Sequence, residues 1–225
     1  MMTLEFRANG APLPLALKHL IVAGWTGRDA AAIAHHIEEL AALGVPAPSQ
    51  TPLYYRVSAP LLTMAPEIEA VGGASSGEVE PLIVVAGGKR YLGLASDHTD
   101  RALEAHSVAM SKQVCAKPCA AELWPWDEIA DRIEEIELTS WIEEAGEWVL
   151  YQSGTIASIR PFADLIEGSG IVALSEDGPV AMLCGTFGAK GGVRPAGRFR
   201  MEMHDPKSGR RIVHEYETIA LPEVA

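Results

Sequence analysis

The stretch that decides the fold lies at residues 77–101 and reads GEVEPLIVVAGGKRYLGLASDHTDR. It contains two apolar runs, residues 81–85 and residues 91–94, on either side of the pair Gly87-Gly88. Apolar runs joined across a glycine pair are typical of two antiparallel strands with a tight turn. The sequence therefore predicts a β-hairpin with acidic residues at both of its outer ends.

Three of these acidic residues form a candidate metal site. Glu78 and Glu80 stand two apart on a strand, so their side chains point to the same face. Asp97 follows the return strand, and a hairpin brings its outer ends together. Carboxylates that converge repel one another unless a cation lies between them. Three oxygen ligands suit Mg²⁺, Mn²⁺ or Ca²⁺ better than zinc, whereas the alternative is a solvated polar strand face.

The rest of the chain favours strands over helices. Turns are expected at Asn9-Gly10 and around Gly146, and residues 171–183 and 198–216 have strand-like sequences. Residues 28–43 form the clearest predicted helix, because they are rich in alanine and place apolar side chains at helical spacing. Many strands with a few helices favour a β-rich mixed fold.

Several segments carry a family resemblance, and they follow one another in a fixed order. They are Glu78-Val79-Glu80, Ser96-Asp97-His98-Thr99-Asp100-Arg101, Ser111-Lys112-Gln113 with Pro118, Leu183-Cys184-Gly185-Thr186, and residues 193–205. In order and spacing, residues 72–206 resemble the fumarylacetoacetate hydrolase superfamily. The resemblance implies an α+β, β-rich fold, a mixed β-sandwich or roll with a few flanking helices. It also implies a single domain over residues 1–225, with an N-terminal strand-helix-strand portion at 1–65 and a metal-binding β core at 66–225.

The resemblance also implies roles for individual residues. Glu78, Glu80 and Asp97 match the metal ligands of the family, Lys112 matches a lysine that faces the substrate, and Gly185 and Thr186 match a backbone turn beside the substrate. Ser96 departs from the family pattern, because it stands where the family usually has Asn. The order Asp100-Arg101 also reverses the family's Arg-Asp, which affects the expected substrate contacts more than the metal ligands.

Lys112 and three arginines are candidates for binding a substrate carboxylate. Lys112 could neutralise a carboxylate or polarise a carbonyl, and the alternative is a solvated lysine. Guanidinium groups bind carboxylates through two parallel hydrogen bonds. Arg101 is therefore taken as a substrate-binding residue, while Arg28 and Arg160 are alternatives that the sequence does not rank.

The predicted helix at 28–43 carries a candidate water-activating pair. His35 and Glu38, and likewise His36 and Glu39, are three residues apart, so each carboxylate can hold an imidazole on the same helix face. A histidine held in this way can act as a general base. The family has a similar His–Glu helix, and His36 with Glu39 is the preferred pair. The alternative is a pair of surface histidines.

Composition excludes several classes of function. The net charge of −12 argues against a nucleic-acid binder, and no apolar run approaches the ~20 residues that cross a bilayer. Three cysteines give no disulfide framework and favour the reducing cytoplasm. The resemblance implies a homodimer, and the tryptophan-rich residues 124–148 are compatible with a core or a subunit interface.

The leading hypothesis is a metal-dependent hydrolase that cleaves a C–C bond in a small 2-oxo or 1,3-dicarbonyl acid such as an acylpyruvate. Its cofactor is expected to be a divalent metal, Mg²⁺ before Mn²⁺ or Ca²⁺, acting as a Lewis acid. The alternatives are a decarboxylase, hydratase or tautomerase of a 2-oxo acid in the same fold, and a non-catalytic protein that binds a small molecule. Fold alone does not choose among these reactions.

Overall fold

Tight two-residue turns organise the strands of this protein. The computed structural model describes residues 3–31, 33–34, 37–38 and 47–224 of the 225-residue sequence. Three hairpins close through residue pairs with positive φ, namely Asn9-Gly10 (51° and 76°), Gly87-Gly88 (55° and 74°) and Ala145-Gly146 (52° and 84°). Two successive positive φ angles define the turn that suits a two-residue hairpin. The turns predicted from the sequence are therefore confirmed.

The described residues form seventeen strands, a helical segment at residues 30–31, 33–34 and 37–38, and four short α-helices that follow it. The strands are β1 (Leu4–Ala8), β2 (Ala11–Leu15), β3 (His19–Gly24), β4 (Leu53–Val57), β5 (Leu62–Thr63), β6 (Glu67–Val71), β7 (Ser75–Ser76), β8 (Val79–Ala86), β9 (Lys89–Ser96), β10 (Thr99–Asp100), β11 (Lys117–Pro118), β12 (Glu122–Pro125), β13 (Glu137–Glu144), β14 (Glu147–Thr155), β15 (Val180–Leu183), β16 (Arg198–His204) and β17 (Arg211–Leu221). The helices are α1 (Arg101–Glu104), α2 (Val108–Val114), α3 (Phe162–Ser169) and α4 (Ile171–Leu174), and 3-10 turns lie at Ala59–Leu61, Trp126–Glu128, Ile133–Glu135 and Ile156–Ser158.

Two larger sheets carry most of the strands. The eight-stranded sheet has the order β2-β1-β12-β9-β8-β15-β3-β4, and the five-stranded sheet has the order β14-β13-β16-β17-β6. The short pairs β10-β7 and β11-β5 flank them. Strands from residues 1–65 and from residues 66–225 share the eight-stranded sheet. The predicted α+β, β-rich architecture is confirmed.

Alternate side chains on the central strands belong to two different hydrophobic clusters. On β8, Ile83 and Val85 belong to one cluster, and Leu82 and Val84 belong to the other. The first cluster also contains buried residues of the five-stranded sheet and of α3. The second contains buried residues of β1 and β3. Because β8 is covered on both faces, its continuous apolar run is explained by burial rather than by a solvated face.

Side-chain caps begin two of the helices. Asp100 accepts a hydrogen bond from Leu103 N at 2.9 Å and so caps α1, and Ser107 caps α2 through Met110 N at 3.3 Å. None of the described helices is long and apolar enough to cross a membrane.

One helix prediction and one strand prediction have different outcomes. The helix predicted from residue 28 begins at residue 30 instead, residues 30–31, 33–34 and 37–38 are helical, as predicted, and residues 32, 35–36 and 39–43 lie outside the described residues. The strand predicted at 171–183 is wrong over its first part, because Ile171–Leu174 is helix α4 and only Val180–Leu183 is a strand. Gly170, with φ of 65°, ends α3 and lets a second apolar helix follow at once.

Candidate metal centre

The β8–β9 hairpin brings three carboxylates together. Glu78 directly precedes β8, Glu80 lies on it, and Asp97 directly follows β9. The Asp97 backbone N donates to the Glu78 carbonyl at 3.0 Å, which holds the two ends of the hairpin side by side. One oxygen from each carboxylate lies within 4.8 Å of the others. The structure therefore places the three predicted metal ligands at one point.

Two buried lysines contact Asp97. The Lys112 ammonium, on α2, forms an ion pair with Oδ2, and Lys117 Nζ lies 3.1 Å from Oδ1. Lys117 is fully buried and also donates to the His98 carbonyl at 2.5 Å. Burial by itself raises the pKa of Asp97, but the charges of the two lysines outweigh burial and hold that pKa below its usual range. Asp97 is therefore ionised at neutral pH.

Arg101 neutralises the first glutamate. Its Nη2 lies 3.2 Å from Glu78 Oε2, its Nη1 lies 2.8 Å from Glu104 Oε2, and its Nε donates to Ser76 Oγ at 2.7 Å. All three contacts are made within the protein, so they do not test whether Arg101 binds substrate. That role stays a prediction. The two other candidate clamps lie elsewhere: Arg28 pairs with Glu134 at 2.7 Å, and Arg160 Nη2 donates to Thr51 Oγ1 at 3.4 Å.

Glu80 has no such cation. Its Oε2 accepts a hydrogen bond from Gly185 N at 2.7 Å, and no ion pair with it is found among the described residues. Burial, together with the charge of Asp97, raises the pKa of Glu80 well above its usual value. A cation that binds beside Glu80 would therefore stabilise the ionised form of this buried carboxylate.

The donor set fits a divalent metal. All three groups offer carboxylate oxygens, which hard cations such as Mg²⁺ and Mn²⁺ prefer. A carboxylate oxygen has two lone pairs, so Asp97 Oδ2, which accepts from Lys112, keeps capacity for a second partner. Glu78, Glu80 and Asp97 are therefore the residues that could hold the ion.

The backbone beside Glu80 requires glycine. Gly185 has φ of 94°, and a Cβ there would lie 1.7 Å from Thr26 Oγ1, so no other residue fits. The next residue, Thr186, donates from Oγ1 to the Val79 carbonyl at 2.6 Å. The predicted turn at Gly185-Thr186 thus contacts the strand that carries Glu80.

His98 is excluded as a metal ligand by its hydrogen bonds. Its Nδ1 lies 3.0 Å from Tyr216 OH, and its Nε2 lies 2.8 Å from Ser75 Oγ. Both ring nitrogens are therefore occupied. Burial and the positive charges of Lys117 and Arg101 lower the pKa of His98 to about 3, so the ring is neutral.

The predicted water-activating pair cannot be placed. His36 and Glu39, and the alternative His35, lie outside the described residues. Lys112, by contrast, is placed beside the carboxylates, with its Nζ 5.9 Å from the centre of the Tyr55 ring. The three cysteines are free and buried, as expected for thiols without a disulfide framework.

Sequence reasoning missed two residues of this centre. Lys117 sits in the stretch Cys-Ala-Lys-Pro-Cys, where a single lysine between small and apolar residues was the available signal. Gln152, on β14, is fully buried and donates to Thr186 Oγ1 at 2.9 Å. No sequence signal pointed to it, because its contact with the centre depends on how the two sheets pack.

Solved structures of known enzymes have a similar fold. One is a fumarylpyruvate hydrolase from Pseudomonas aeruginosa in complex with Mn²⁺ and pyruvate, with a TM-score of 0.59 and 14% identity over 98% of this chain and 96% of that chain. Another is 2-keto-3-deoxy-D-arabinonate dehydratase complexed with magnesium and 2,5-dioxopentanoate, with a TM-score of 0.61 and 13% identity over 97% of this chain and 79% of that chain.

The fold is therefore that of the fumarylacetoacetate hydrolase superfamily, as the order of the motifs predicted. Identities this low establish the fold and not the reaction. The chain belongs to the family described as Protein of unknown function (DUF2848), whose sequence model matches residues 23–216. A search of curated proteins found no match.

Proposed function

We propose that the chain is a metal-dependent hydrolase that cleaves a C–C bond in a small 2-oxo or 1,3-dicarbonyl acid of the acylpyruvate type. The observation that carries the proposal is the convergence of Glu78, Glu80 and Asp97, with carboxylate oxygens within 4.8 Å of one another, beside the buried ammonium of Lys112. Similar folds bind Mn²⁺ with pyruvate and magnesium with 2,5-dioxopentanoate, which supports this substrate class.

Each residue of the centre has a distinct proposed task. A divalent ion, Mg²⁺ in the first instance, would be held by the three carboxylates and would supply Lewis-acid polarisation of substrate oxygens. Lys112 would pair with the substrate carboxylate or carbonyl, because it is the cation of the centre that lies on a helix beside the aromatic ring of Tyr55. Gly185 and Thr186 would bound the other side of the substrate, and Arg101 would hold the Glu78 carboxylate in place through their ion pair.

Hydrolysis also requires a base that activates water. We assign this task to His36 held by Glu39, on the reasoning that a carboxylate one helical turn away orients the imidazole and stabilises its charged form. Replacement of His36 by Ala is expected to abolish C–C hydrolysis while leaving metal binding intact. Retained hydrolysis in that variant would exclude the pair as the water-activating base.

Two further properties are proposed for the protein as a whole. A homodimer is expected from the superfamily fold, and sedimentation velocity of the purified chain tests it directly. A cytoplasmic location is supported by three buried cysteines that form no disulfide.

The first experiment measures thermal unfolding with and without Mg²⁺ or Mn²⁺, in the wild type and in Glu80→Ala. A ligand that binds only the native state adds roughly 2.7 kcal/mol of stability at one hundred times its dissociation constant. We expect this gain in the wild type, none in Glu80→Ala, and the full gain in the exposed control Glu69→Ala. A wild type that does not respond to either metal would sink the proposal.

The second experiment identifies the reaction. Acylpyruvates of increasing chain length and oxaloacetate are incubated with the metal-loaded protein, and the products are separated by chromatography. Pyruvate and a free acid in equal amounts are expected from C–C hydrolysis. Carbon dioxide release, or addition of water without cleavage, would replace hydrolysis by another reaction of a 2-oxo acid.

A further inference from the structure

A β-bulge faces the candidate metal centre from the five-stranded sheet. Between β13 and β14, Ser140 pairs with Gln152 and Trp141 pairs with Leu150, so Tyr151 is an extra residue on β14. A bulge bends its strand and redirects the neighbouring side chains. Here the redirected residues are Tyr151 and Gln152, both of which are fully buried.

Gln152 uses all the hydrogen-bonding capacity of its side-chain amide. Oε1 accepts from Val79 N at 2.9 Å and from Ser140 Oγ at 3.0 Å. Nε2 donates to Thr186 Oγ1 at 2.9 Å and to the Phe187 carbonyl at 2.9 Å. A backbone N–H can only donate and a carbonyl can only accept, so the Val79 and Phe187 partners fix the orientation of this amide.

Gln152, Val79 and Thr186 form a closed ring of hydrogen bonds, and Val79 lies on the strand that carries Glu80. Val79 lies between Glu78 and Glu80, and its N–H is bound by Gln152. Its carbonyl accepts from Thr186 Oγ1 at 2.6 Å, and Thr186 in turn accepts from Gln152. A shift of the loop that begins at Gly185 would therefore break the hydrogen bond of Thr186 to the Val79 carbonyl and the two hydrogen bonds of Gln152 to the loop. Loss of these bonds is costly because Gln152 is fully buried and its amide would be left without partners.

The bulged Tyr151 extends the same attachment along the loop. Its carbonyl accepts from Lys190 N at 2.7 Å, and its hydroxyl accepts from Arg194 N at 3.2 Å. The loop is thus bound to the bulge at Thr186 and Phe187 through Gln152, and at Lys190 and Arg194 through Tyr151.

We infer that Gln152 is a positioning residue that locks the loop beginning at Gly185 to the strand carrying Glu78 and Glu80. Its consequence for substrate binding rests on the proposed function, because the loop then forms the wall opposite the metal ligands. Gln152 touches neither carboxylate and acts only through Val79, Thr186 and Phe187.

The first test needs no metal and no substrate. Amide hydrogen exchange is measured by mass spectrometry on the wild type, on Gln152→Met, which keeps the length of the side chain, and on Ser140→Ala. We expect exchange at residues 185–190 to quicken at least tenfold in Gln152→Met, while residues 211–221 are unchanged. Ser140→Ala removes one bond to Gln152 but none to the loop, so its loop exchange is expected to stay within twofold of the wild type.

A second variant keeps this test decisive if Gln152→Met fails to fold. Thr186→Val opens the ring at another point, and it is expected to quicken exchange at residues 185–190 by a similar factor. In a chain that carries both substitutions the increase should not multiply, because the two side chains belong to one ring. Exchange at wild-type rates in either single variant, or multiplied increases in the double variant, would overturn the inference.

The third measurement separates positioning from general destabilisation. Mn²⁺ is titrated alone, and oxalate is then titrated at saturating Mn²⁺. In Gln152→Met we expect the Kd of Mn²⁺ to change less than threefold and the Kd of oxalate to rise at least tenfold. An equal loss of both affinities would overturn the positioning role. A wild type that binds neither probe would refute the proposed function, and the exchange measurements would still decide the inference.

Discussion

Two buried aspartates, Asp97 and Asp205, have opposite electrostatic surroundings. Asp205 follows β16 and lies in a turn, where Lys207 N donates to it at 3.0 Å and Ser208 Oγ donates at 2.6 Å. Arg132 donates to its Oδ2 from Nε at 3.1 Å and from Nη2 at 2.9 Å. All of these partners are donors that stabilise one carboxylate, and together they hold a turn in shape.

Asp97 is equally buried but shares its space with two other carboxylates. Lys112 and Lys117 offset its charge, yet oxygens of Glu78 and Glu80 lie within 4.8 Å of it and of each other. The fold therefore holds like charges close together, which destabilises it unless another cation binds. The comparison teaches that a buried acid does not by itself indicate a functional site, whereas a group of converging acids does.

The largest expected effect comes from removing the acid that two lysines share. Asp97→Ala leaves the buried ammonium groups of Lys112 and Lys117 close together without the carboxylate that pairs with both of them. Breaking a buried ion pair in this way costs about 3–5 kcal/mol. Urea denaturation without added metal is expected to show a loss of that size in the free energy of unfolding.

The paired control for Asp97→Ala is Lys117→Met in the same chain. Removal of one stranded ammonium is expected to recover part of the lost stability, because Met fills a similar volume without a charge. If the double variant is no more stable than Asp97→Ala, the lysines are not the cause of the loss, and the contrast with Asp205 fails.

A smaller loss is expected from the structural aspartate. Asp205→Ala removes the acceptor for Ser208 Oγ and Lys207 N and leaves Arg132 with Asp131 alone. The loss of hydrogen bonds to a charged group costs about 2 kcal/mol. The gain in melting temperature on adding Mn²⁺ should equal that of the wild type. A metal response that disappears in this variant would show that the two aspartates do not have separate roles.

The neutral histidine next to Asp97 predicts a dependence of stability on pH. The pKa of His98 falls to about 3 in the folded protein, from about 6.5 in an unfolded chain. Below pH 6.5 the unfolded state takes up a proton that the folded state does not, so stability is complete above 6.5 and is lost as pH falls towards 3. The loss between pH 6.5 and 5 is about 2 kcal/mol.

His98→Gln isolates this contribution from that of other acidic groups. Its amide can still bond to Ser75 and Tyr216 but does not titrate. We expect the wild type to lose more stability than His98→Gln between pH 6.5 and 5, as measured by urea denaturation without metal. Parallel pH profiles for the two proteins would mean that His98 is protonated in the native state.

The carboxylate side of the centre was predictable because it depends on local geometry. Glu78, Glu80 and Asp97 belong to one hairpin, and the two-residue turn at Gly87-Gly88 fixes which ends meet. The alternation of side chains along a strand and the type of a turn are both determined by residues that are neighbours in the sequence. The order of later motifs then added Lys112 and Gly185, which a family resemblance could place and periodicity could not.

The supporting contacts were not predictable because they join distant parts of the chain. Gln152 accepts a hydrogen bond from Val79, 73 residues away in the sequence. This contact depends on a bulge at Tyr151, which no turn residue in the sequence indicates. Lys117 contacts Asp97 only because the chain after α2 returns beside β9, where Cys119 forms a β-bridge with Ala95. Tertiary packing, rather than local pattern, decides such contacts.

The smallest expected effect concerns an exposed version of the same pairing of cation and carboxylate. Arg194 lies 2.6 Å from Glu144, with side chains 29% and 43% exposed. Water screens this pair, so Glu144→Ala should change the free energy of unfolding by less than about 0.5 kcal/mol. The loop should also keep its place, because Arg194 Nη1 still donates to the Lys190 carbonyl at 2.8 Å. A loss as large as that of Asp205→Ala would mean that distance alone, and not burial, sets the strength of these pairs.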